Sequence, residues 1–275
     1  MSLDLHWIGR RLHSHLAWRG ALASPHRGAV EVVALFGLYG LYELVRGFGE
    51  LDFAAAHRNT ANIVALEQRL NVFGERSVQN WAQGIPGLPS ALGFAYIAFH
   101  LVLTAAVLVW VYRAHRDRFP LVRTTLILST AIALVGYVVY PAAPPRLSNL
   151  GFVDTVSEHG GINLSSDLLG SFYNPIAAVP SLHFGYALLV GAAVAAFARS
   201  RIVRAAGAAY PAVMLFIIVA TGNHFLFDAV AGGIVIVVAW VGARLLVARP
   251  AASSGQVPAL APRRHEPARL TRLAA

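Results

Sequence analysis

The sequence predicts an all-α integral membrane bundle of about six transmembrane helices, with an interfacial amphipathic helix between the first and second spans. Three observations predict it. Apolar residues make up 57% of the 275-residue chain and charged ones only 13%, against about 25% charged in a soluble domain. Apolar runs close to the ~20 residues needed to cross a bilayer recur along the chain. The 22 basic residues are all arginine and fall mostly between those runs or near their ends. That placement fits membrane topology better than a nucleic-acid face, despite a net charge of +9.

Taken in order, residues 1–28 are basic, broken by polar residues, and lack the apolar core of a cleavable signal. They read as a cytoplasmic tail or surface-lying segment. The first span, 29–48, carries Glu31 and Glu43 and is the least clean. Within 50–91, Ile63, Leu66, Leu70 and Phe73 recur at helical spacing, with Glu67, Arg69, Glu75 and Arg76 interleaved. This predicts an amphipathic helix that lies in the interface or packs on the bundle. The remaining spans are 92–112, 122–140, 183–199, 205–221 and 225–247. Residues 29–248 thus form one transmembrane domain. Residues 249–275, with Pro258, Pro262 and Pro267 among scattered arginines, are predicted to be a disordered cytoplasmic tail. The absence of cysteine excludes disulfides and thiolate metal sites.

Six spans put both termini on one side, and 17 of the 22 arginines fall there. They include Arg113, Arg116, Arg118 and Arg123 in one loop and Arg199, Arg201 and Arg204 in another. Positive residues favour the cytoplasmic side. The prediction is a multi-pass plasma-membrane protein with cytoplasmic termini and with loops 141–182 and 221–225 facing outward.

The unusual polar clusters lie on that outward face. The segment 140–146, YPAAPPR, stops the third span with prolines and holds Arg146 near the membrane boundary. There Arg146 either anchors to headgroups or binds an anion. The segment 174–183, NPIAAVPSLH, runs into the fourth span. Ser181 is a candidate N-cap, and His183 falls in the first turn, where the positive helix end favours an anion. The segment 221–228, TGNHFLFD, places His224 and Asp228 four apart, on one helix face. Asp228 can fix one ring nitrogen of His224 and leave the other free as nucleophile or base. An aspartate in an apolar span marks either a functional site or a structural pair that cements helices. Together, two histidines, an aspartate and an arginine from three segments reach one membrane depth. Phosphoryl transfer needs such a set: a nucleophile, an acid for the leaving oxygen, and cations for the phosphate oxygens.

The ordered set PAAPPR, PSLH and HxxxD resembles the phosphatidic acid phosphatase type 2 superfamily, which shares its helical core with vanadium haloperoxidases. The runs AAVPSLHFGYAL and GNHFLFDAVAGG are similar to its inositol phosphorylceramide synthase-like branch. The resemblance spans roughly residues 50–245. It implies that His224 attacks phosphorus to form a phosphohistidine and that Asp228 orients it. It further implies that His183 protonates the departing oxygen and then activates the acceptor. Arg146 and Ser181 would bind phosphate oxygens, and no metal or other cofactor would be needed. Two positions depart from the pattern: Val139 stands where the family has a lysine, and Ile218 where it has an arginine. Arg58 or Arg76 are candidates for the missing charge, and Asn174 and Asn223 for further substrate contacts. The implied substrate is a lipid phosphate or phospholipid in the bilayer. Transfer of a headgroup phosphate, such as inositol phosphate, to a lipid alcohol leads, and hydrolysis of a polyprenyl or phosphatidyl phosphate is the alternative. Two readings of other classes are a metallohydrolase using the same side chains, and a transporter relaying protons through Asp228, His224 and His100. His100, inside the second span, is expected to hydrogen-bond a neighbouring helix or to line a substrate path.

Overall fold

The computed structural model describes residues 52–159 and 174–247, together with Gly37 and Gly40. The expected first span and both tails lie outside the described residues. Among the described residues the secondary structure is helical, save one isolated bridge between Ala142 and Ala177. Four helices are long and apolar enough to cross a membrane. They are α3 (Leu88–Ala114), α4 (Phe119–Val139), α7 (Arg201–Ala220) and α8 (Leu226–Val247). A short helix, α5 (Thr155–His159), precedes a shorter apolar helix, α6 (Leu182–Phe197), which packs between the long ones. The chain is a multi-pass membrane helical bundle, and its described spans follow the predicted ones to within a few residues.

The local chemistry sets the boundaries. Pro120 opens α4, where a missing N–H costs nothing. Pro141 closes it, because the residue before a proline is driven from helical geometry. Ser181 caps α6, its Oγ accepting the Phe184 N–H. Within α3, residues Phe99–Leu103 form a π-helical turn, a local widening that recurs at functional positions.

The interfacial stretch is helical but differs from the single predicted stripe. It forms α1 (Phe53–Arg69) and α2 (Glu75–Gln83), separated by a turn in which Asn71 adopts φ 56°. Asp52 caps α1 through the Ala55 N–H. The inward face of α1 is Ala56, Thr60, Ile63, Val64 and Glu67, while Leu66 and Leu70 are exposed. Phe73 lies beyond the helix end. In α2, Glu75 and Gln79 turn inward and Arg76 outward. Two glutamates that interleave with the apolar stripe are therefore buried. Their reason is a set of backbone donors at the start of α8, described below.

The arginine loops cluster at one end of the bundle. His115, after α3, packs against Phe197 at the end of α6, and Arg204 bonds the Ala195 carbonyl. The end of α4, the start of α6, the end of α7 and the start of α8 meet at the other end.

Candidate active site

Backbone hydrogen bonds knit the three polar segments together at that end. Ala142 donates to Ile176, and Ala178 donates to Ala142, so the proline-rich segment lies alongside the one leading into α6. Arg146 N–H donates to the Gly222 carbonyl, and Ser181 N–H to the Asp228 carbonyl. From α1, Thr60 Oγ1 donates to the Ala143 carbonyl and accepts the Ala143 N–H, and Asn59 donates to Pro141. Two glycines permit this crowding. Gly222 adopts φ +71°, and a Cβ on Gly232 would lie 2.2 Å from the Ser181 carbonyl oxygen.

His224 lies just before α8, and Asp228 in its first turn. The pair does not share a helix face; the aspartate reaches back. Asp228 Oδ2 lies 3.2 Å from His224 Nδ1 and accepts the Phe225 N–H at 2.9 Å. Asp228 is fully buried (0% exposed), so its negative charge depends on these donors and on the positive end of α8. The bond at Nδ1 leaves Nε2 of His224 without a partner among the described residues. The ring centroids of His183 and His224 are 5.6 Å apart. His183 stacks on Tyr96 at 4.1 Å and on His100 at 3.9 Å. The N–H groups of Leu182 and His183, in the first turn of α6, donate to no described residue.

Among the described residues, His100 makes no hydrogen bond to a neighbouring helix. Its Nδ1 is buried without a partner, and its ring stacks on His183 and Tyr186. Arg146 reaches the cluster's edge. Its Nε donates to Asn223 Oδ1 and its Nη1 to Asp154 Oδ2, both at 3.0 Å, and its side chain is 3% exposed. Asn223 is thus an acceptor for Arg146, and its amide donates to Thr221. Asn174 shapes the turn into α6 by accepting the Ile176 N–H. Arg76 bonds the Leu150 carbonyl, and Arg58 is exposed on α1. The structure brings His183, His224, Asp228, Ser181, Arg146 and Asn223 to one end. It gives neither Arg58 nor Arg76 a contact with the histidines.

The model of the PAP2 superfamily matches residues 61–242. This chain belongs to the PAP2 superfamily. The match runs from the middle of α1 into α8, and it places the chain's chemistry among phosphatases and phosphotransferases acting on phosphorylated substrates. Comparisons with curated proteins and with solved structures yield no match.

Sequence reasoning about this PAP2 chain left Glu67 and Glu75 without chemistry and passed over Asp154. The helix that carries Asp228 offers three N–H groups without intrahelical partners, and three carboxyl groups take them. Phe225 donates to Asp228, Leu226 to Glu75 Oε1 at 3.0 Å, and Phe227 to Glu67 Oε1 at 2.7 Å. Glu67 and Glu75 are 2% and 1% exposed. Burial, the adjacent Glu75 and Asp228 push the Glu67 carboxyl up to about 8, against a lowering by the Phe227 N–H. The signal in the sequence was the 4-residue spacing of Glu67 from Ile63, which puts both on one face.

Proposed function

We propose that the chain transfers a phosphate-bearing headgroup to a lipid alcohol through a phosphohistidine on His224. The observation that carries this reading is the His224–Asp228 pair, with Nε2 unbonded and the His183 ring beside it. In the first step the Nε2 lone pair forms the N–P bond. The P–O bond to the leaving alcohol breaks, and its oxygen takes a proton from His183. Asp228 holds the Nδ1 proton and balances the positive ring. In the second step the acceptor hydroxyl gives its proton to His183 and attacks phosphorus, and the N–P electrons return to Nε2. The phosphate oxygens have two sources of donors: the guanidinium of Arg146, and the unengaged N–H groups at the start of α6. The N–H donors of Phe225, Leu226 and Phe227 at the start of α8 are taken by carboxyl groups, so they do not serve the phosphate. The stacked rings of Tyr96 and His100 wall one side of His183, and an aromatic wall suits the chain of a lipid alcohol as acceptor. Inositol phosphate as the moving group rests on the similarity of residues 177–188 and 222–233 to the synthase-like branch.

The test is to incubate purified protein with a lipid alcohol and a panel of phospholipid and lipid-phosphate donors, and to measure both new lipid and free phosphate. New phosphorylated lipid is expected, and it should persist after exhaustive chelation. His224→Ala should lower turnover roughly 10³-fold or more while the extracted protein stays folded. Near wild-type turnover in that variant would overturn the assigned nucleophile. Free phosphate with no new lipid would replace transfer by hydrolysis. Product that disappears on chelation would favour the metallohydrolase. Solute flux through reconstituted vesicles without phosphorus chemistry would favour the transporter.

A further inference from the structure

Three buried carboxyl groups meet at the start of α8, and the donors there are too few for three full charges. Glu75 uses both oxygens as acceptors, Oε1 from Leu226 and Oε2 from Gly74. Asp228 Oδ2 accepts from Phe225 and faces His224 Nδ1. Glu67 Oε1 accepts from Phe227, but its Oε2 is buried without a donor. The Glu67 and Glu75 carboxyls accept from the consecutive N–H groups of Phe227 and Leu226, so the two lie side by side at one helix turn. Two ionised carboxylates cannot face each other so closely at low cost, whereas an acid and a carboxylate form a strong O–H···O⁻ bond.

We propose that Glu67 is a positioning residue held as the neutral acid, donating its Oε2–H to Glu75, so that α1 and α2 together hold the start of α8 and keep Asp228 on His224. The reading rests on His224 as the reacting group. The charged groups acting on Glu67 are Glu75 from α2 and Asp228 from α8, both acidic. Removing the proton leaves three anions around one helix turn. The value of about 8 for Glu67 agrees with a proton retained at neutral pH.

Glutamine mimics the neutral acid: its oxygen accepts from Phe227 and its amide donates to Glu75. Glu67→Gln is therefore expected to keep wild-type kcat at pH 7 and to extend activity further into alkaline pH. Glu67→Ala is expected to lower kcat roughly a hundredfold, the cost of an ångström of misplacement, with KM little changed. Equal loss in both variants would show that an ionised Glu67 is required and would overturn the proposal. Wild-type turnover and an unshifted pH profile in both would overturn it as well. A second measurement does not depend on activity. Infrared spectra of the detergent-solubilised protein at pH 7 should contain a protonated-carboxyl C=O band that titrates near pH 8 and is missing in Glu67→Gln. An absent band, or one that survives the substitution, sinks the shared proton even if the enzyme proves inactive on every donor tried. A band present in an inactive wild-type protein leaves the carboxyl pair standing and sinks the catalytic reading instead.

Discussion

Asp228 concentrates two tasks on one oxygen. Its Oδ2 meets both His224 Nδ1 and the Phe225 N–H, while Oδ1 is buried with no partner. Asp228→Asn can place its amide oxygen on both donors and its nitrogen where Oδ1 stands. The shape survives, and the charge that stabilises a positive imidazole does not. Turnover is expected to fall by about 10²–10⁴ with little change in thermal stability, measured as kcat beside an unfolding curve in detergent. A collapse in stability instead would mean that the pair is chiefly a structural cement. Gly232→Ala separates the two possibilities from the other side. Its methyl would meet the Ser181 carbonyl at 2.2 Å, and that backbone is tied to Asp228. Strain there should cost about 1–3 kcal/mol of stability and lower kcat as well. At this scale the sequence was informative where one side chain does one thing. Ser181 as a cap and His183 in a first turn follow from residue type and position. The partners of Arg146 were not legible, because Asp154 meets it through a loop whose path no periodicity encodes.

Between elements, legibility tracked the length of the apolar pattern. The spans α3, α4, α7 and α8 are long runs in which burial needs no partner other than lipid or a neighbouring helix, so composition alone locates them. The helices α1 and α2 are short and mixed, and what turns each of their faces inward is a distant need. Glu67 and Glu75 are buried because α8 begins without enough donors' partners of its own. A charge on a helix is ordinarily a solvated charge, so residue type alone does not reveal that both are buried. The same arrangement makes the fold sensitive to alkali. Glu67 is raised from its ordinary 4.5 to about 8, so its neutral form belongs to the folded state. The stability it confers is complete below about 4.5 and is lost as pH rises through about 8. Thermal midpoints in detergent should fall over that interval, by at most about 1.4 kcal/mol per pH unit from this group. Glu67→Gln should flatten that interval. An unchanged slope in the variant would assign the effect to another group.

For the whole molecule, the bundle has two chemically distinct ends. One gathers the arginine loops 113–123 and 199–204; the other gathers His183, His224, Asp228 and Arg146. Arginines resist translocation, and on that ground we propose that the first end faces the cytoplasm and the site the outer face of the membrane. The polar groups of the site gather at one end of the bundle, which suits a reaction there better than a relay along its length. The chain has no cysteine, so single substitutions report sidedness without background. Leu150→Cys, on an exposed position beside the site, should react with a membrane-impermeant maleimide on intact cells. Ser200→Cys, exposed between α6 and α7, should react only after permeabilisation. The reverse pattern would place the site in the cytoplasm. Lipid donors made on the inner leaflet would then reach it directly, whereas an outward site requires donor and acceptor lipids in the outer leaflet. Labelling both positions therefore decides which leaflet's lipids are presented to His224.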